Sequence, residues 1–220
     1  LFRLPYRQTE GLGRSLAQLM NVEIPIPDFT SLAKRASQLN ISLDVADRTG
    51  PIDIAVDSTG LKVFGEGEWK MRSHGKTKRR TWRKLHLAVN AETQEIEAEV
   101  LTENSGHDAD QVNDLLNQID GPADAFYGDG AYDQWKVYGT LATRAMRQII
   151  PPRRNAKIKQ HGNSSQPSLP RDEAIREIRR TGRKPWKENI GYHRRSLSET
   201  AIYRMKCCFG NKLKNRVLKN

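Results

Sequence analysis

Between Pro51 and Glu103 the chain holds three strand-like stretches in close succession, and this alone excludes an all-helical fold. IDIAVD alternates and is rich in β-branched residues, so it reads as a buried strand ending near Asp57. Ser58, Thr59 and Gly60 are turn residues, and LKVF is a candidate continuation. Trp82 to Asn90 forms a second strand, with Leu85, Leu87 and Val89 on one face. His86 alternates with them and is expected to face outward, toward a helical layer or DNA. A turn at Ala91–Gln94 leads into a third strand, Glu95 to Glu103, with Ile96, Ala98 and Val100 inward. Strands this close in sequence pair as an antiparallel meander.

The pattern then alternates. His107 to Ile119 reads as a helix with an acidic start, Asp124 to Tyr127 as a short buried strand with Asp129 at its end, and Tyr132 to Arg144 as a helix. Arg147 to Ile150 is a fifth strand, stopped by Pro151 and Pro152. Residues 153–171 are polar, basic and aperiodic, and read as a flexible insertion at about 151–172. Asp172 to Arg180 is a short charged helix. The order defines a mixed α/β domain over residues 49–220. Residues 1–48 form a small N-terminal helical segment: a helix over 8–20, a proline-marked connector, and a second helix capped by Asp28 or Thr30 and running to Leu39. Lys34 and Arg35 make that segment either a partial DNA-binding unit or a plain helical pack. The chain opens on Leu1, already inside a helical pattern, which reads as a piece of a longer protein.

Charge narrows the partners. Lys and Arg number 37 against 26 acids, a net of +11, and the two signs are segregated. Leu85 to Trp135 contains twelve acids and no Lys or Arg, whereas Arg144 to Asn220 has 21 bases against five acids. Lys70 to Lys84 holds eight bases and no acid. An acidic centre between basic flanks suits a metal-binding site within a surface for nucleic acid. The two cysteines, Cys207 and Cys208, are adjacent, which fits neither disulfide geometry nor zinc-ligand spacing; they read as reduced, partly buried core residues of a cytosolic protein. No apolar run approaches the roughly 20 residues of a membrane span, and no signal peptide is visible.

Ile190 to Gly210 reads as one helix. At about 100° per residue, Tyr192, Arg195, Glu199 and Lys206 fall within an arc of roughly 60°. Leu197, Ala201, Met205 and Cys208 lie on the far side, toward a core. One face thus presents a carboxylate flanked by two bases and a phenol. Asp57 and Asp129 each follow an apolar strand, and if those strands are neighbours both carboxylates leave the same sheet edge. Each Asp alone is as readily a turn residue, and Glu199 alone a solvated partner of Arg195 at i, i+4. The joint pattern of strand–Asp, strand–Asp and helix–Glu in a basic chain is the signal. Two Asp and one Glu suit a pair of hard cations about 4 Å apart that activate a water or hydroxyl and stabilise a leaving oxygen. A phosphatase with Asp57 as nucleophile needs a second Asp two residues on, where Thr59 stands. His107 with Asp108 and Asp110 reads as a helix start or a supporting metal group. Trp135 and Trp186 read as packing residues.

These residues carry a resemblance. Tyr192, Arg195, Glu199 and Lys206 match, at every spacing, the helix signature of the DDE transposases of bacterial insertion sequences, in particular the group named after insertion sequence five. Asp129, Gly130, Ala131, Tyr132 and Asp133 match that family's second-Asp motif. AVDSTGLKVFGEGEW and KRRTWRKLHLAV, at 55–69 and 78–89, resemble its first-Asp region, and LFRLPYRQTEG and PDFTSLAKR its N-terminal part. The resemblance implies an RNase H-like mixed sheet flanked by helices and a metal-binding catalytic triad of Asp57, Asp129 and Glu199. The ions would be Mg²⁺ or Mn²⁺, two of them. It implies metal-dependent DNA strand cleavage and strand transfer on double-stranded element ends and target, by a homodimer in the bacterial cytoplasm. Tyr192, Arg195 and Lys206 would position DNA ends. Lys78, Arg79, Arg80, Arg83 and Lys84 form a basic run suited to tracking a DNA backbone, with Trp69 and Trp82 beside it. The alternatives are a non-catalytic DNA-binding remnant of such an enzyme and a simple RNase H-like nuclease.

Overall fold

A computed structural model of the protein describes residues 4–39, 50–63, 82–161 and 165–213. The described chain divides into two compact units, one of 4–39, 62–63 and 211–213, the other of 50–61, 82–161 and 165–210.

In the first unit, α1 (Tyr6–Leu19) and α2 (Phe29–Ala36) form a helical pair. Asp28 caps α2 by accepting from the N–H groups of Thr30 and Ser31 at 2.8 and 3.0 Å. Glu10 of α1 accepts the Phe29 N–H at 2.8 Å, and Arg7 lies 4.0 Å over the Phe29 ring. Lys62 and Val63 pair in parallel with the short strand Lys212–Leu213.

The second unit is built on a mixed sheet. Its strands are β1 (Ile52–Val63), β2 (Trp82–Asn90), β3 (Ile96–Glu103), β4 (Ala123–Tyr127) and β5 (Arg147–Ile149), in the order β3-β2-β1-β4-β5. β2 and β3 are antiparallel; β1, β4 and β5 run parallel. The strand beginning at Ile52 does not stop at Asp57 but runs through it.

Helices cover both faces, and this explains why β1 is apolar on both. Ile54, Val56, Ala88 and Phe126 pack with Leu115, Leu116 and Leu141 of α3 (Val112–Leu116) and α4 (Trp135–Thr143). Ala55, Ala125, Tyr127 and Ile149 face the other way, against Ile190, Tyr192 and Leu197. The remaining helices are α5 (Pro170–Thr181), α6 (Arg183–Asn189) and α7 (Ser196–Phe209), the last of which lies on β2. Among the described residues no helix is long and apolar enough to cross a membrane.

Several sequence expectations change. Of the two surroundings expected for His86, it takes the helical layer and not DNA: it shares the Ala88 face of β2 and is fully buried. The helix read over His107–Ile119 is a 3₁₀ turn at Asp108–Asp110 followed by one short helix. The long helix from Ile190 breaks at its start. Gly191 adopts φ 69°, and Tyr192–Arg195 form a 3₁₀ turn before α7. Arg194 and Arg195 are anchored there to Asp53 and Asp57 of β1. Cys207 and Cys208 are exposed, because α7 turns only Ser198, Ala201 and Ile202 fully inward. Trp186 is buried, but Trp135 is 43 % exposed.

The stretch 153–161 is not a free loop. Asp133 accepts the Arg153 N–H at 2.8 Å, and Asp172 accepts the N–H groups of Lys159 and Gln160 at 3.0 and 2.7 Å. Two buried carboxylates thereby satisfy backbone donors that no regular ladder reaches.

Candidate active site

The parallel pairing of β1 with β4 sets the site. Ala55 lies opposite Tyr127, and two residues further along each strand come Asp57 and Asp129. Both carboxylates therefore leave adjacent strands at the same level of the sheet. Asp57 accepts the Ser58 N–H at 2.8 Å. Asp129 caps the 3₁₀ turn Gly130–Tyr132 by accepting the Ala131 N–H at 2.7 Å.

Gly128, just before Asp129, is closely confined. A Cβ there would meet the Phe126 ring at 2.8 Å and the Tyr132 ring at 2.9 Å. Both rings are fully buried, in an edge-to-face pair with centroids 5.7 Å apart, and cannot give way. Gly128→Ala is therefore expected to destabilise the chain by about 1–3 kcal/mol and displace Asp129. Chemical denaturation, read with the activity assay below, checks this.

Glu199 lies in the first turn of α7 with its side chain 55 % exposed. Between it and Asp57 sits Arg195. One guanidinium nitrogen is 2.6 Å from Glu199 Oε1 and another 3.0 Å from Asp57 Oδ2. Arg195 thus supplies the positive charge between two of the three carboxylates. Among the described residues no three His, Cys, Asp or Glu side chains converge closely enough to hold a metal ion together. The physical reason is visible: Glu199 is turned onto Arg195. Lys206, two turns further along α7, donates to Thr59 Oγ1 at 2.5 Å, and Tyr192 packs beneath with Lys187 4.5 Å over its ring.

These groups lie close enough to bias one another's protonation. Burial pushes the Asp57 carboxyl up, and the negative charges of Asp129 and Glu199 add to this against the opposing Ser58 N–H and Arg195. Burial also raises the Tyr192 phenol, with Arg195 opposing and the same three acids reinforcing the rise. Tyr132 is raised well above the ordinary range by burial and then by Asp108, Asp57 and Asp129. Removing Arg195 should expose the repulsion. Arg195→Gln is expected to lose about 2 kcal/mol, less than for a fully buried pair. Added Mn²⁺ should then raise its melting temperature by more than it raises that of the unsubstituted chain. A thermal-shift titration of both proteins measures this.

Of the other predicted residues, Arg83 lies 3.5 Å from Glu103, and Lys84 is 2.8 Å from Asp108. Lys78, Arg79, Arg80 and Trp69 lie outside the described residues. The sequence reading missed three clusters beside the carboxylates. Asp108 gathers Lys84 and the buried His86, whose Nδ1 is 3.2 Å away, while His86 Nε2 pairs with Thr102 at 3.0 Å. Burial works to raise the Asp108 carboxyl, but hydrogen bonds from His86, Lys84 and Ser58 outweigh it and hold the group well below the usual range. Asp133 takes Arg171 Nε at 2.6 Å and Nη2 at 3.1 Å, along with the Tyr138 hydroxyl at 3.0 Å. Asp53 joins Arg194 and the Tyr127 hydroxyl. The clue for Asp133 was its place in the DGAYD stretch; Asp108 was read beside His107 as a helix start or supporting metal group, without its partners Lys84 and His86.

The sequence itself places the chain. Residues 48–217 match the family described as Transposase DDE domain, and residues 1–66 match a second family of the same description. The first match spans most of the chain, and the chain belongs to that transposase family. Two solved structures show a distant likeness. The Mos1 mariner paired-end complex with Mn is 10% identical with TM-score 0.31, covering 94% of this chain and 72% of that one. The Mos1 transposase paired-end complex with left transposon end is 9% identical with TM-score 0.32, covering 97% and 81%.

Proposed function

We propose that this transposase cleaves DNA strands at the ends of an insertion sequence and joins them to target DNA, with Asp57, Asp129 and Glu199 as the ligands of divalent metal. The observation that carries the reading is that Asp57 and Asp129 stand at matching levels of the adjacent β1 and β4, with Arg195 joining Asp57 to Glu199 at the start of α7. We read the sheet order, with its antiparallel edge pair, as RNase H-like.

The donor set fits Mg²⁺ or Mn²⁺. It consists of hard carboxylate oxygens, and one of them, Asp57, has its negative charge disfavoured by burial and by neighbouring acids. Glu199, on an exposed first turn, exchanges Arg195 for a cation without disturbing the core. Bound metal supplies Lewis-acid activation of the attacking oxygen and neutralises charge on the leaving one. The chain's own groups do the rest. Asp57, within β1, and Asp129, just past β4, fix the site on the sheet. Arg195, freed from Glu199, and Lys206 are cations positioned for phosphate oxygens, and Tyr192 supports Arg195 from below. In cleavage, water oxygen bonds to phosphorus as the P–O3′ bond breaks, leaving a 3′ hydroxyl. In transfer, that hydroxyl bonds to a target phosphorus as another P–O3′ bond breaks, so the number of phosphodiester bonds is conserved. We assign DNA contacts also to α1 and α2 within residues 1–48, and a homodimer on paired ends, at the bacterial nucleoid.

The test is incubation of the purified chain with labelled duplex carrying the element's own ends, under Mg²⁺ or Mn²⁺. Metal-dependent nicking at the element boundary and joined products are expected. A folded chain that binds this DNA yet cuts under neither metal contradicts the reading and leaves a DNA-binding remnant.

A further inference from the structure

The basic stretch after β5 has no part in the carboxylate site, yet it builds a cleft beside it. The cleft is an open cavity of about 500 Å³, lined in part by Asp133, Trp135, Arg153, Lys157, Lys159 and Arg171. Four of these six residues are cationic. The one carboxylate, Asp133, has a fully buried side chain and is consumed by Arg171, the Arg153 N–H and Tyr138. Lys157 and Lys159 are exposed and have no carboxylate partner among the described residues. Trp135 opens α4 and is 43 % exposed as a residue, and Lys159 Nζ and the Arg171 guanidinium lie 4.6 and 4.9 Å from its ring centroid.

We propose that this cleft binds the backbone of a DNA strand leaving the carboxylate site, with its phosphates on Arg153, Lys157 and Lys159 and a sugar or base against Trp135. A concave surface with excess cations and an exposed aromatic face is the arrangement that tracks a nucleic-acid strand without reading its sequence. Its position argues for continuity with the cutting site. Arg153 Nε donates to the Gly130 carbonyl at 3.2 Å, and Gly130 follows Asp129 directly. Asp133 is four residues beyond Asp129 and holds both Arg153 and Arg171 in place. A strand that passes Asp129 therefore has Arg153, at the edge of the cleft, beside the next residue, Gly130. The inference rests on the DNA-cutting reading above and adds a strand path to it.

The test uses the full chain and a fluorescein-labelled duplex with a single-stranded extension, followed by anisotropy over a range of salt. Lys157→Ala/Lys159→Ala removes two exposed ammonium groups that make no core contact, and its melting curve should match the parent. Affinity is expected to fall at least tenfold, with the slope of log K against log salt shallower by about 1.4–1.8, as for two lost phosphate contacts. Arg179→Ala/Lys184→Ala removes the same charge from exposed positions outside the cleft and should leave affinity within about threefold. Equal losses in the two double variants, or no loss in the cleft variant while the parent binds and cuts DNA, overturn the cleft and leave the cutting reading intact. A parent chain that neither binds nor cuts DNA overturns both.

Discussion

Asp129→Asn is expected to lower strand cleavage by at least about 10²–10³-fold, the typical cost of removing one preorganised electrostatic partner of a transition state. The substitution keeps an amide oxygen that can accept the Ala131 N–H, so the 3₁₀ turn after β4 survives and the melting temperature stays near that of the parent. Loss of activity without loss of fold separates a metal ligand from a turn residue, the two roles open to Asp129 from sequence alone. Asp57→Asn carries a second signature. Its carboxyl is pushed up by burial and by neighbouring acids, so the folded state disfavours the charged form. Its contribution to stability is therefore present at low pH and lost as pH rises through the folded value. At pH 7 the neutral Asn should leave the fold as stable as the parent or more so, and this advantage should vanish below about pH 4. An inactive but stabilised variant is what a site built on mutually repelling acids gives.

The largest effect on folding is expected at Asp133. Its side chain is fully buried and receives four donors: Arg171 twice, the Arg153 N–H and the Tyr138 hydroxyl. Asp133→Asn turns an amide N–H toward the guanidinium and leaves the mostly buried Arg171 without its counter-charge. A loss of about 3–5 kcal/mol is expected, the range for breaking a buried pair by removing one partner. The pH dependence has the opposite sign to that of Asp57. Although burial opposes it, the bonds from Arg171, Arg153 and Tyr138 hold Asp133 below its ordinary value. The stability it adds is therefore present above about pH 4 and lost as pH falls through the folded value. The gap between parent and variant in urea midpoints should be constant from neutral pH to about pH 5 and should close on further acidification. A gap that persists unchanged at pH 2 contradicts the assignment.

The parts of this fold that were legible in the sequence are those with local period. β2 was readable because Trp82–Asn90 alternates and ends at a turn, and of the two caps open for α2, Asp28 or Thr30, the structure uses Asp28. Asp57 and Asp129 were singled out because each was read at the end of an apolar strand, and Glu199 because it shares a helix face with Tyr192, Arg195 and Lys206. What stayed hidden depends on contacts distant in sequence. His86 looked outward because alternation names two faces but not what covers the second. The break at Gly191–Arg195 follows from anchoring to Asp53 and Asp57 more than 130 residues earlier, which no helical wheel contains. The stretch 153–161 looked flexible because its order comes from Asp133 and Asp172 rather than from its own residues. Trp135 looked like core because tryptophan usually is; here it stands at the rim of a cationic cleft.

The central claim is that Asp57, Asp129 and Glu199 hold one divalent metal centre. The most direct measurement replaces that metal with Fe²⁺ and generates hydroxyl radicals with ascorbate and peroxide, which cut the polypeptide beside the bound ion. The account predicts backbone cuts clustered near residues 57, 129 and 199, suppressed by excess Mg²⁺ and absent in Asp129→Asn. Cuts clustered elsewhere, or the same cuts in Asp129→Asn, contradict it.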